Sequence, residues 1–337
     1  MAIQREVREV AFGEVCDMLC VKRPTLIMFH AHPDGDATGS AFSLRAIVEA
    51  LGSPAWCVCA DVIHRRYRFA FEGVQDSILP ENIPEGFEDC RIITVDTASR
   101  GQMGRLAERF EDRVDLMIDH HGMGEHYADY YVDADAAACG EIIFDIAEEL
   151  IHRGALSKLP DRVALWLYMA IVTDTGGFKY SNATAGTHRR AASLLDGSFD
   201  HADLNFRLFD AKEPEELKVT KVVLEKMKFL RGGEISYVAM SSAEFEALGV
   251  STEYSDVLIN VARSVSGVKV AVAVREIGGE VGRYKASLRS SCDFDVAAVC
   301  AHFGGGGHVR AAGCALSAAS AEAAAEIVAA EVERRLG

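Results

Sequence analysis

The 337-residue chain lacks several features that would each point to a function class. No apolar run approaches the roughly 18–20 residues that cross a bilayer. The opening MAIQREVREVAF has no apolar signal core, so a cytoplasmic protein is expected. Cys16, Cys20, Cys57, Cys59, Cys90, Cys139, Cys292, Cys300 and Cys314 are irregularly spaced, with no C-x-x-C pair. That excludes a zinc ribbon and a disulfide framework, and leaves reduced, mostly buried thiols acting as small core residues. There is no G-x-S-x-G elbow and no G-x-x-x-x-G-K-[ST] loop, so neither a serine-nucleophile hydrolase nor NTP-driven work is indicated. No basic stripe is visible either. With net charge −16 and pI near 5.1, the chain does not suit long duplex nucleic acid, whose binding rests on phosphate neutralisation. A two-to-five-unit oligonucleotide, needing only metals and two or three local cations, remains compatible.

Hydrophobic residues at 49% and charged residues at 26% describe an ordinary globular chain, long enough for two cores. Short apolar runs alternate with helical patterns. TLIMF at Thr25–Phe29, Ala55–Ala60, RIITV at Arg91–Val95 and VDLMI at Val114–Ile118 read as strands. Residues 37–51, 139–152 and 161–172 read as helices. This rhythm predicts an α/β fold, a mostly parallel sheet flanked by helices. The charged stretch from Asp210 to Arg231 reads as a connecting helix ending at a Gly pair. Beyond it Ile235–Met240, Val268–Arg275 and Val281–Leu288 read as strands, with helices at 254–265 and 317–336, which predicts a smaller α/β domain with a mixed sheet. The expected division is a catalytic domain over 1–195, a helical linker over 196–232 and a substrate-binding domain over 233–337.

Four polar clusters follow the first-half elements. His30-Ala31-His32-Pro33-Asp34-Gly35-Asp36 comes after the first strand, Asp96 after RIITV, Asp119-His120-His121 after VDLMI, and Asp174-Thr175-Gly176-Gly177-Phe178 after an apolar helix. Taken singly, Asp36 or Asp96 could be a helix cap and Asp174 a helix end. Three adjacent polar groups at 119–121, however, make poor core filling. In an open parallel sheet the strand carboxyl ends face one crevice, so clusters dispersed in sequence converge there. His30, Asp34, Asp36, Asp96, His120 and Asp174 suit two divalent ions sharing one carboxylate. Oxygen-rich ligation with histidine favours Mn²⁺, with Mg²⁺ or Co²⁺ as substitutes. His32 adds a second histidine to the first loop, and composition alone does not choose between it and His30.

H-x-x-P-D-x-D-A-x-G-S, an Asp at a strand end, D-H-H and D-T-G-G-F, in this order, resemble the four motifs of DHH superfamily phosphoesterases. Gly304-Gly305-Gly306-Gly307-His308-Val309-Arg310-Ala311-Ala312-Gly313 resembles the G-G-G-H-x-x-A-A-G signature of the DHH-associated domain, and Ser287-Leu288-Arg289-Ser290 a second element of it. The resemblance covers nearly the whole chain and is nearest to the nanoRNase and pAp phosphatase subgroup. It implies that His30, Asp34 and Asp96 hold one ion, while Asp36, Asp96, His120 and Asp174 hold the other. Asp96 would be the bridging, catalytically central ligand, and His121 would face the scissile phosphate. Arg289, Ser290, His308 and the Gly305, Gly306 and Gly307 backbone would bind substrate phosphate. Arg105 is a further candidate cation for substrate, and Arg100 reads as a solvated surface residue.

The implied reaction is hydrolysis of short oligonucleotides to 5′-mononucleotides and of pAp to AMP and phosphate. The rival within the same motifs is a phosphodiesterase specialised for pApA. A family II pyrophosphatase would lack the glycine-rich signature, and a RecJ-like exonuclease would need a further domain. A catalytically silent nucleotide-binding module would have lost ligands that are all present. No membrane partner is expected, and a homodimer is left open.

Overall fold

A computed structural model describes residues 7–337 apart from Gly279 and Val281; the side chain of His308 also lies outside the described residues. The chain divides into two compact units, Met1–Ala211 and Lys212–Gly337.

The first unit is built on a five-stranded, all-parallel sheet. Its strands are β1 (Thr25–Met28), β2 (Ala55–Val58), β3 (Arg91–Val95), β4 (Leu116–Asp119) and β5 (Asp129–Val132), in the order β2-β1-β3-β4-β5. Strands β1 and β3 are buried along their whole length, as expected when helices cover both faces of a parallel sheet. On one face Ile27, Ile93, Val95 and Ile118 pack with helices Gly35–Ala50, Cys139–His152 and Val163–Asp174. On the other Leu26, Met28, Ile92 and Met117 meet Met103, Leu106 and Phe110. The chain runs from β1 to β2 on one side and returns to β3 on the other. The loops after β1 and β3 therefore diverge and open a crevice at the carboxyl edge of the sheet.

The sequence reading missed β5. Its DYYV is half-buried throughout and sits on the sheet edge, so it carries neither an apolar run nor an alternation. The helix boundaries also move. Asp34, not Asp36, is the N-cap of helix Gly35–Ala50, its carboxylate accepting from the Ala37 N–H at 3.0 Å. That frees Asp36 to point inward, where it is buried.

The second unit carries a six-stranded mixed sheet of β6 (Lys228–Leu230), β7 (Ile235–Met240), β8 (Val270–Glu276), β9 (Arg283–Ser290), β10 (Gly306–His308) and β11 (Ala311–Ser317). Its order is β10-β11-β9-β8-β7-β6, with only β7 and β8 parallel. Val270, Val272 and Val274 face helices Val296–His302 and Ala321–Leu336. Ala271 and Ala273 face the opposite layer, where Val219 and Val223 of helix Pro214–Lys226 and Leu258 and Ala262 of helix Asp256–Arg263 pack. The β10–β11 hairpin is absent from the predicted strands, because Gly and Ala without a β-branched residue carry no strand signal. All nine cysteines are free thiols, and most are buried. No helix among the described residues is long and apolar enough to cross a membrane.

Gly39 shows how tightly the helix carrying the first motif is held. A Cβ there would lie 2.4 Å from the Trp166 carbonyl oxygen and 3.0 Å from the Ala170 Cβ, both on helix Val163–Asp174. Gly39→Ala is therefore expected to cost about 1–3 kcal/mol by overpacking. A urea midpoint equal to that of the wild type would show that the two helices part without strain.

Candidate metal centre

The loops leaving β1, β3 and β4, together with the end of helix Val163–Asp174, bring the predicted groups into one place. His30 Nε2 lies 3.7 Å from Asp34 Oδ1 and 3.5 Å from Asp96 Oδ2. His120 Nε2 lies 3.5 Å from Asp96 Oδ1, 3.7 Å from Asp36 Oδ2 and 3.8 Å from Asp174 Oδ2. The two oxygens of Asp96 thus face two different histidines. Asp96 is buried and has φ 49°, a left-handed conformation that costs a non-glycine residue energy and is retained mainly at functional sites. His32 is not part of this arrangement. It turns out to solvent and pairs with Asp61 at 3.0 Å.

Separations of 3.5–3.8 Å are too long for good hydrogen bonds. They are ordinary distances between two ligands of one ion, when each ligand stands about 2.0–2.3 Å from the metal. Three overlapping groups, His30 with Asp34 and Asp96, Asp36 with His120 and Asp174, and Asp96 with Asp119, His120 and His121, each present ligand atoms within 4.8 Å of one another among the described residues. Both histidines are also pre-set. Nδ1–H of His30 donates to the Ala31 carbonyl at 2.8 Å and that of His120 to the Ala136 carbonyl at 3.3 Å, so each Nε2 is the ring atom turned toward the carboxylates. The donor set therefore fits two divalent cations.

The electrostatics agree. Burial works against charge on His30, yet the Asp34 and Asp96 carboxylates hold its pKa up at about 12. Burial likewise opposes charge on His120, and Asp96 and Asp36 hold it at about 10. Burial raises Asp174 to about 6 against the pull of His120, and burial with the Asp96 charge raises Asp36. Burial also opposes ionisation of Asp96, but His120 and His30 together hold it below the usual carboxylate range. Carboxylates that draw a proton toward each imidazole also favour other cations, and a divalent ion would take the place of those protons.

Several contributors were not legible in the sequence. Asp36 is held by the N-terminus of helix Cys139–His152: Cys139 N–H donates to Oδ2 at 2.7 Å and Gly140 N–H to Oδ1 at 2.9 Å, and the Ser40 hydroxyl adds a bond to Oδ1 at 2.9 Å. A helix N-terminus favours a negative charge there. Asp119 is wholly buried; its Oδ1 accepts from the His120 backbone N–H and from His121 Nδ1, both at 2.8 Å, while Oδ2 has no hydrogen-bond partner among the described residues. His121 thus presents Nε2 on the opposite side of its ring, and the Asp119 carboxylate raises its pKa.

Arg105 is paired with Glu81 and donates to the Ala60 carbonyl, and Arg100 is paired with Glu125. In the second unit Arg289 is partly buried in β9 and, among the described residues, donates to the adjacent Leu288 carbonyl. Ser290 donates to the Cys292 carbonyl. In the glycine run, packing against β11 explains two positions: a Cβ at Gly305 would lie 2.3 Å from the Gly313 oxygen, and one at Gly307 2.6 Å from the Ala312 Cα. Gly306 faces open space.

Residues 24–171 match the DHH family N-terminal domain and residues 235–334 match the DHHA1 domain. The chain is 30% identical over 318 residues to the bifunctional oligoribonuclease and PAP phosphatase NrnA of Thermus thermophilus, an alignment covering 94% of this chain and 91% of that one. The chain belongs to the DHH family. With its DHHA1 domain it is a DHH/DHHA1 phosphoesterase, of a metal-dependent family, and the Asp119-His120-His121 run lies within the matched N-terminal domain. A second DHH relative is the cyclic-di-AMP phosphodiesterase GdpP of Geobacillus thermodenitrificans, 27% identical over 89% of this chain and 46% of that one. The fold is shared with an exopolyphosphatase-related protein from Bacteroides fragilis, at TM-score 0.85 and 20% identity, covering 96% of this chain and 95% of that one.

Ser40→Ala removes a hydrogen bond to the buried Asp36 carboxyl group, whose other two donors remain. It is expected to lower the unfolding free energy of the metal-free protein by about 0.5–1.5 kcal/mol. An unchanged urea transition would mean that the two backbone donors alone hold Asp36.

Proposed function

We propose that this chain is a two-metal phosphoesterase that hydrolyses short oligonucleotides to 5′-mononucleotides and pAp to AMP and phosphate. The observation carrying this reading is Asp96, a buried, left-handed aspartate whose two oxygens face His30 and His120 separately. In that role His30, Asp34 and Asp96 hold one ion, and Asp36, Asp96, His120 and Asp174 hold the other. Mn²⁺ suits this mixed imidazole and carboxylate set. Bound divalent ions supply Lewis acidity at the phosphate and lower the pKa of water.

The chain's own groups do the rest. Asp119 orients the His121 ring and favours its protonated form, so Nε2–H donates to a phosphate oxygen on which negative charge builds. The Cys139 and Gly140 N–H groups and Ser40 hold Asp36 in one orientation, and Ala31 and Ala136 do the same for the two histidines. The pocket therefore needs little rearrangement as charge develops. Arg289, Ser290, His308 and the Gly305–Gly307 backbone bind substrate phosphate on the second unit. The match to a named oligoribonuclease and PAP phosphatase along almost the whole of both chains supports this substrate class. The GdpP relative keeps a second reading in view, a phosphodiesterase for linear dinucleotides such as pApA.

Metal-stripped protein is expected to be inactive on a labelled five-nucleotide RNA and on pAp, and Mn²⁺ is expected to restore release of mononucleotides and of phosphate. Asp96→Ala should lose more than about a hundredfold in rate, as removal of a central charge-stabilising group does, and should also lose bound metal by elemental analysis. Cleavage of pApA alone would select the dinucleotide reading. Full turnover by a folded Asp96→Ala protein would end the two-metal assignment.

A further inference from the structure

The second unit gathers cations that the sequence scatters. On β9, Tyr284, Ala286 and Leu288 point into the core beside helix Ala321–Leu336. Lys285, Ser287 and Arg289 therefore point to the other face. There Lys285 stands directly across from Arg275 of β8, and Arg289 across from Ala271. Arg263, the last residue of helix Asp256–Arg263, reaches this face because its helix packs on β7, β8 and β9. Beyond β9 the same face continues over Ala311, Gly313 and Ala315 of β11, small and partly exposed residues that leave room above the sheet.

These four cations have no carboxylate within ion-pair distance among the described residues. Arg275 and Arg289 donate only to the carbonyls of Glu276 and Leu288. Elsewhere in the unit Lys226, Lys228, Lys269, Arg231 and Arg310 each face an acidic side chain. Like charges directly across a ladder destabilise a sheet. In a chain of net charge −16 an acidic neighbour would be easy to supply. Besides burial, the influence on Lys285 is the Arg275 charge; on Arg289 it is chiefly the Arg263 charge, with no carboxylate among the influences.

We infer that Arg263, Arg275, Lys285 and Arg289 form a cationic track for the phosphodiester backbone of a single-stranded oligonucleotide, with Arg275 and Lys285 gripping a phosphate beyond the one at Arg289. Arg289 and Lys285 are four residues apart on one side of a strand, roughly 13 Å, so a mononucleotide bisphosphate held at Arg289 does not extend along the full track. This inference rests on the oligonucleotide reading of the function and adds a basis for substrate length.

The test is fluorescence anisotropy on the full chain stripped of metal with EDTA, so that nothing turns over. The probe is a 5′-labelled five-nucleotide RNA, with pAp as unlabelled competitor. For Arg275→Ala/Lys285→Ala, the pentanucleotide Kd is expected to rise roughly tenfold, while competition by pAp changes less than twofold. The slope of log affinity against log salt should become shallower by about 1.4, for two lost contacts to a single strand. Lys285→Gln, which keeps most of the side-chain stem, should show about half of that change in slope. Equal weakening toward pAp and the pentanucleotide, or no change toward either, overturns the track. A wild-type protein that cleaves the pentanucleotide while the double variant binds it unchanged overturns the track alone. A wild type that neither binds nor cleaves it overturns the substrate reading as well.

Discussion

Four carboxylates held within a few ångströms of one another repel strongly, and the carboxyl edge of the first sheet is organised around keeping them there. Asp36 is gripped through both oxygens by the N-terminus of helix Cys139–His152 and by Ser40. Asp96 is held in a left-handed backbone conformation between two histidines. Asp34 is tied to its own helix as the N-cap. The close approach at Gly39 belongs to the same requirement, since it locks the helix bearing Asp34 and Asp36 against the helix that ends in Asp174. A buried anionic cluster of this kind is costly unless cations complete it. The stability of this edge and the affinity of the centre for divalent ions are thus two sides of one electrostatic arrangement.

That arrangement also sets the division of labour around phosphate. Asp36 and Asp96 are buried, Asp36 and the two imidazoles are pre-oriented by backbone N–H and carbonyl groups, and His121 is partly exposed and oriented by Asp119. A group that meets substrate needs access, and a group that holds a metal needs rigidity. The carboxyl edge supplies both because the loops after β1 and β3 diverge at the point where the strand order reverses.

Much of this was legible in the residues. The apolar runs at Thr25–Met28, Arg91–Val95 and Ile235–Met240 are buried strands with nearly the predicted bounds, because parallel and central strands are apolar on both faces. Helix Cys139–His152 was readable from its periodicity. Edge elements were not: β5 is half-buried throughout, and the β10–β11 hairpin is made of small residues whose reason is close approach between strands rather than apolar burial. Asp119 was read as part of a tripeptide, but its bond to His121 and its unpartnered oxygen appear only when the strand end is seen in place.

By itself the sequence determined the chemistry on offer. Asp and His clusters directly after apolar runs had to meet at one sheet edge, since parallel strands all end on the same side. The choice between His30 and His32 was a tertiary decision, made by a turn that sends His32 out to Asp61. So was the anchoring of Asp36 by a helix that begins about a hundred residues later in the chain. The sequence shows no basic stripe, because Arg263, Arg275, Lys285 and Arg289 come from a helix and two strands, and each has uncharged or acidic residues directly on either side. Only an antiparallel ladder and a helix packed across it place like charges side by side, and pairing of that kind leaves no trace in local composition.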